Sequence, residues 1–135
     1  MTPRDSDPMR GLLIVDHGSR SAEANDRLAA FARRIAEARP DWLVEHAHME
    51  LAQPDFASGI DRLVARGART IFVHLHFLGT GFHVRESLPQ LAQDMRVRHP
   101  EIEIELSPPL GDDPRLVEIV LEQMTRQGAL ERQSS

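Results

Sequence analysis

The sequence predicts an α/β fold with a four-stranded parallel sheet and helices on both faces, a flavodoxin-like βα alternation, and three observations carry that expectation. Short apolar runs alternate with helical-period segments in the order βαβαβαβα. The first run, Gly11 to Asp16 (GLLIVD), is apolar at consecutive positions, as a strand covered on both faces must be. The chain of 135 residues has the size of one such unit and can bury one proper core.

The first strand closes at His17-Gly18-Ser19, a tight turn. From Ser21 to Arg39, Leu28, Phe31 and Ile35 recur at helical spacing between charged residues, and Pro40 stops the pattern. Trp42 to Met49 reads as the second strand. Phe56, Ile60, Leu63 and Val64 mark a helix opened near Pro54 and ended by Gly67 in a left-handed cap. Thr70 to Phe77 is the third strand. After Gly79-Thr80-Gly81, Ser87 is expected to cap a helix with Pro89 in its first turn and a stripe of Leu88, Leu91, Ala92 and Met95 that ends at His99-Pro100. Ile102 and Ile104, alternating with glutamates, form a fourth strand at an edge. Asp113-Pro114 then opens a helix carrying Leu116, Ile119, Val120 and Met124. The organisation expected is a flexible tail over 1–10, a single domain over 11–126 and a frayed tail over 127–135, with right-handed crossovers between the strands.

Composition narrows the chemistry. The absence of cysteine excludes disulfides, thiolate zinc sites and cysteine nucleophiles, so any metal must use imidazole, carboxylate or water, and seven histidines are on hand. A formal charge of −5 argues against a broad nucleic-acid surface, which needs a basic stripe. No apolar run is long enough to span a membrane, and residues 1–10 lack the apolar stretch of a secretory signal, so a cytoplasmic protein without a membrane partner is expected.

Ligands of open α/β sheets bind beyond the carboxyl ends of the strands. His17 follows the first strand, Glu50 the second and His83 the third, and positions 17, 50 and 83 are separated by 33 residues each time, about one strand-plus-helix unit. Two neutral imidazoles and a carboxylate suit Co²⁺, Fe²⁺, Ni²⁺ or Zn²⁺ and leave coordination positions open for exchange. Each residue also has an ordinary reading: His17 as a turn cap, Glu50 as an exposed strand end, His83 as a loop residue. On the strands themselves, His46 and His48 share a face with Glu50, and His74 and His76 share a face on the next strand, as an auxiliary metal relay or as hydrogen-bonded wall residues. His99, beside a helix-ending proline, reads as surface.

Three ordered motifs go further. His17-Gly18-Ser19-Arg20, Glu50-Leu51-Ala52-Gln53-Pro54 and the segment from Phe77 to Pro89 (FLGTGFHVRESLP) resemble those of the small class II tetrapyrrole chelatases, the sirohydrochlorin cobaltochelatase and ferrochelatase family of CbiX type. The resemblance runs from about residue 11 to 125 and includes Pro108-Pro109-Leu110-Gly111. Departures are Ser87-Leu88-Pro89 where the family usually has Asp-Ile-Pro, and Leu75-His76 where a proline and an aromatic often precede Phe-Leu; the second alters the pocket lining.

The resemblance implies a chelatase that sets a divalent metal, Co²⁺ first and Fe²⁺ or Ni²⁺ otherwise, into sirohydrochlorin, with His17, Glu50 and His83 as catalytic and metal-handling residues. The metal is then a substrate and no cofactor is permanently bound. Ser19, Arg20 and Arg85 are the expected contacts to the substrate, the arginines through its peripheral carboxylates. One module leaves an open crevice, so a homodimer is expected to wall it. The contrasting reading is a non-catalytic metal carrier or storage protein with the same ligands. The histidine phosphatases, which also end a strand in His-Gly, are set aside because their preceding arginine is Asp16 here, whose charge repels phosphate.

Overall fold

The computed structural model describes residues 9–79 and 81–134, the side chains of Phe82, His83 and residues 127–134 excepted. In chain order the elements are β1 (Met9–Asp16), α1 (Ala22–Ala38), β2 (Leu43–His48), α2 (Phe56–Ala65), β3 (Ala68–Leu75), α3 (Phe82–Arg98), β4 (Glu103–Pro109), a 3₁₀ turn (Leu110–Asp112) and α4 (Arg115–Ser134). The four strands form one parallel sheet in the order β2-β1-β3-β4. From β1 the chain passes to one side, and from β2 it crosses back to the other, so the strand order reverses around β1. The crevice that such a reversal opens lies beyond the carboxyl ends of β1 and β3.

Alternation along the strands sorts side chains into two cores. Leu13, Val15, Ala47, Ile71, Val73 and Leu75 pack with Phe56, Ile60 and Leu63 of α2 and with Val84, Leu88, Ala92 and Met95 of α3. Leu12, Ile14 and Val44 pack on the other face against Leu28, Phe31, Ala32 and Ile35 of α1. Both faces of β1 are therefore covered, which is why its sequence shows no polar alternation. Each fully buried side chain of this kind stabilises the fold by roughly 1.5–3 kcal/mol relative to exposure. Local chemistry sets the helix starts: the Ser21 hydroxyl accepts from Ala24 N at 3.3 Å, and the Asp55 carboxylate accepts from Ser58 N at 2.9 Å.

One expectation needs correction. Ser87 does not cap α3; the helix opens at Phe82 with Gly81 as its N-cap, and no side chain caps it. Pro89 is consequently internal, where its ring leaves the Arg85 carbonyl without its helical N–H partner. Burial of Val84 and Leu88, one turn apart, holds the earlier turn helical despite that loss. The helix that carries Ile119, Val120 and Met124 forms as expected, with these residues 47%, 52% and 62% exposed, and among the described residues α4 makes only slight contact with the rest of the chain.

Candidate active site

The carboxyl ends of β1 and β2 continue pairing past the strands. Met49 N donates to Asp16 O and Glu50 N donates to His17 O, each at 2.9 Å, so the backbones of His17 and Glu50 form one ledge. Gly18 makes the ledge possible: its φ of +89° lies in the left-handed region, and a Cβ there would overlap the Glu50 carbonyl oxygen. Leu51, exposed beside the ledge, holds φ +68°, a conformation non-glycine residues take at a cost of about 1–3 kcal/mol and one that clusters at functional sites. The imidazole of His17 lies against the Phe77 ring, with centroids 4.5 Å apart, and both His17 and Glu50 are exposed.

α3 forms the opposing wall. Val84, Glu86, Ser87, Gln90 and Leu91 line an open depression of about 650 Å³ together with Met49 and Glu50. The backbone of His83 lies in the first turn of this helix, rather than in the loop where the sequence suggests it; its side chain lies outside the described residues. Among the described residues no three histidine, aspartate or glutamate side chains gather as a metal-binding group.

The expected substrate contacts are dispersed. Ser19 is clasped to α1: its N donates to Asn25 Oδ1 at 2.9 Å, its carbonyl accepts from Asn25 Nδ2 at 2.7 Å, and its hydroxyl accepts from Ser21 N at 3.0 Å. Arg20 is exposed just beyond the ledge. Arg85 lines a separate depression of about 480 Å³ with Leu75, Leu88, Pro89, Leu106 and Ser107. The segment containing Pro108 and Gly111 closes against the end of β3 through Gly111 N donating to Phe77 O at 2.9 Å.

Behind the ledge, on the α1 face, lies a row of polar groups. His48 is 1% exposed, and its Nδ1 meets Asp16 Oδ1 at 2.6 Å across the β1–β2 pair. This aspartate therefore has a structural partner. At the end of β3, His74 Nε2 and His76 Nδ1 share a hydrogen bond at 3.1 Å. Burial pushes the pKa of His46, His74 and His76 below the ordinary 6.5. Neither the Asp16–His48 pair nor the stacking of His17 on Phe77 emerges from sequence reading; the period of two places Asp16 on a strand face, but only the register sets it opposite His48.

The sequence model of the CbiX family matches residues 11–127. A chloroplastic sirohydrochlorin ferrochelatase of Arabidopsis thaliana is 36% identical over 110 residues, covering 82% of this chain and 49% of the relative. A sirohydrochlorin cobaltochelatase of Saccharolobus solfataricus is 30% identical over 122 residues, covering 86% of this chain and 94% of the relative. Among solved structures, the sirohydrochlorin chelatase SirB of Bacillus subtilis subspecies spizizenii in complex with cobalt superposes with a TM-score of 0.75 at 30% identity, over 87% of this chain and 50% of that one. A cobalamin-biosynthesis CbiX protein of Marinobacter aquaeolei gives 0.77 at 26% identity, over 91% and 98%. The chain thus spans about half the length of several relatives it matches and nearly the whole of others.

Proposed function

The chain belongs to the CbiX family, and on that premise we propose that it is a sirohydrochlorin chelatase that handles its metal substrate with His17, Glu50 and His83. Co²⁺ is the ion assigned first, with Fe²⁺ and Ni²⁺ as alternatives. Relatives are named for both cobalt and iron, and those whose length this chain nearly matches are cobaltochelatases. The observation that carries the reading is the ledge: His17 and Glu50 are joined backbone to backbone, and the first turn of α3, which bears His83, stands beside the same depression.

Metal insertion exchanges two pyrrole N–H protons for one divalent ion, so two protons must leave as the ring nitrogens replace the ion's outer ligands. Imidazole nitrogens can hold the ion and accept protons, and the Glu50 carboxylate adds a ligand or negative charge. Arg20, Arg85 and the Ser19 hydroxyl are assigned to the peripheral carboxylates of the macrocycle. A single module leaves its depression open to water, and α4 leaves an apolar stripe bare. A homodimer answers both, with a second copy in the role of the remaining half of the longer relatives.

The test mixes the purified full chain with sirohydrochlorin and, separately, Co²⁺, Fe²⁺ and Ni²⁺, following the tetrapyrrole absorption bands against a no-protein control. Enzyme-dependent conversion is expected, and His83→Ala should abolish it with the circular dichroism spectrum intact. An unchanged rate in that variant overturns the assignment. Tight metal binding without any change in the bands marks a carrier instead.

A further inference from the structure

β3 carries a pair of imidazoles that the chelatase reading does not use. His74 and His76 are two residues apart, the period that returns side chains to one sheet face, and both point to the α1 side. Their facing nitrogens, His74 Nε2 and His76 Nδ1, lie 3.1 Å apart. Two nitrogens bound to one ion at 2.0–2.1 Å, at tetrahedral or octahedral angles, stand roughly 2.9–3.4 Å from each other. The pair therefore already has the bite of a bidentate ligand.

The protonation states favour the same use. Burial disfavours the charged form of both rings. A neutral imidazole carries one proton, and it can sit on the nitrogen facing away. In the hydrogen bond that joins the two rings one facing nitrogen holds its proton, and shifting that proton to the same ring's other nitrogen frees both facing nitrogens for an ion. His76 is held in place by the Phe31 ring, with centroids 4.7 Å apart, and by its backbone N–H donating to Val15 O at 2.8 Å. The charge of Asp16 on neighbouring β1 reaches His76 and favours positive charge there.

The same spacing on β2 does not produce a clamp. His48 is buried with its Nδ1 committed to Asp16, and the His46 ring meets it edge-on with centroids 5.6 Å apart. Two pairs that look equivalent along the chain are thus different in space.

We propose that His74 and His76 form a second metal site, a two-imidazole clamp for a divalent first-row transition ion, separate in its ligands from His17, Glu50 and His83. Among the described residues no third histidine, aspartate or glutamate joins them, so water fills the remaining positions and the ion stays exchangeable. The clamp lies on the α1 face, whereas the depression at Glu50 lies against α3.

Ni²⁺ alone, titrated calorimetrically into the full chain, tests this. A His17→Ala/His83→Ala variant with native circular dichroism is expected to retain one equivalent of Ni²⁺ per chain. Adding His74→Gln and His76→Gln should remove that equivalent or weaken it at least tenfold. Equal binding by the two variants, or none by the first, overturns the clamp. In the unaltered chain, substoichiometric Co²⁺ should broaden the imidazole proton resonances of His74 and His76; broadening confined to His17 and His83 overturns the clamp and leaves the chelatase reading untouched. Chelation that survives His83→Ala overturns the role given to His83, and a chain that never chelates overturns the chelatase reading; neither has any bearing on the clamp.

Discussion

Gly18→Ala is the substitution that most directly interrogates the ledge. Two costs follow from the structure. A residue with a Cβ at φ +89° pays roughly 1–2 kcal/mol for the left-handed conformation. The new methyl would also overlap the Glu50 carbonyl and come within 3.0 Å of His48 Cβ, so the two backbones must separate and the Glu50 N–H bond to His17 O is lost, about 1 kcal/mol more. The sum is ~2–3 kcal/mol. For a chain of this size one kcal/mol moves Tm by roughly 3–5 °C, so a fall of ~6–15 °C is expected. Gly67→Ala is the internal control: its φ is +106°, but nothing lies within 4 Å of its Cβ position, so it pays the conformational cost alone. Urea and thermal unfolding by circular dichroism measure both variants, and tetrapyrrole absorption measures chelation. Gly18→Ala should lose chelation and more stability than Gly67→Ala, which should chelate normally. If Gly18→Ala proves no more destabilising than Gly67→Ala, or chelates at full rate, the ledge does not do what is claimed for it.

Three further outcomes are expected. His48→Ala removes a buried ring and leaves the Asp16 carboxylate without its partner, costing about 2–4 kcal/mol in urea unfolding; a loss under about 1 kcal/mol would show the pair to be incidental. Burial lowers the pKa of His46 below 6.5, so below that pH the unfolded chain binds a proton that the folded chain resists. Its contribution to stability is complete above about pH 6.5 and is lost as the pH falls beneath it; His46→Gln should flatten the stability profile of the metal-free protein between pH 7 and 5, and an unaltered slope rules the attribution out. Ile119→Glu puts a charge in the open stripe of α4 and should turn a dimer seen by light scattering into a monomer of unchanged helicity; a monomeric parent protein would remove the basis for the homodimer.

Much of the fold is legible without coordinates because its signals are short-range. Branched apolar runs, the Leu28–Ile35 spacing and the Gly67 stop each act within a few residues, and all reappear as elements of the structure. The start of α3 is not legible in the same way, because Pro89 is a strong local punctuation mark, whereas the burial of Val84 and Leu88 that overrides it depends on the sheet lying beneath the helix. Leu116, Ile119, Val120 and Met124 spell an apolar face equally well whether or not anything covers it, so the exposure of Ile119, Val120 and Met124 cannot be read from their spacing.

The sequence by itself determined the alternation of strands and helices, and with it that His17, Glu50 and His83 follow the carboxyl ends of three successive strands. The tertiary structure alone decided the strand order β2-β1-β3-β4, which sets Glu50 beside His17, and the register that pairs Asp16 with His48. It also separated two identical His-x-His patterns: on β2 the buried His48 is committed to Asp16, whereas His74 and His76 at the end of β3 bond to each other. The reason is physical. Periodicity says which face a side chain takes, while partners and exposure depend on the neighbouring strand and the helix above it, and those come from parts of the chain tens of residues away.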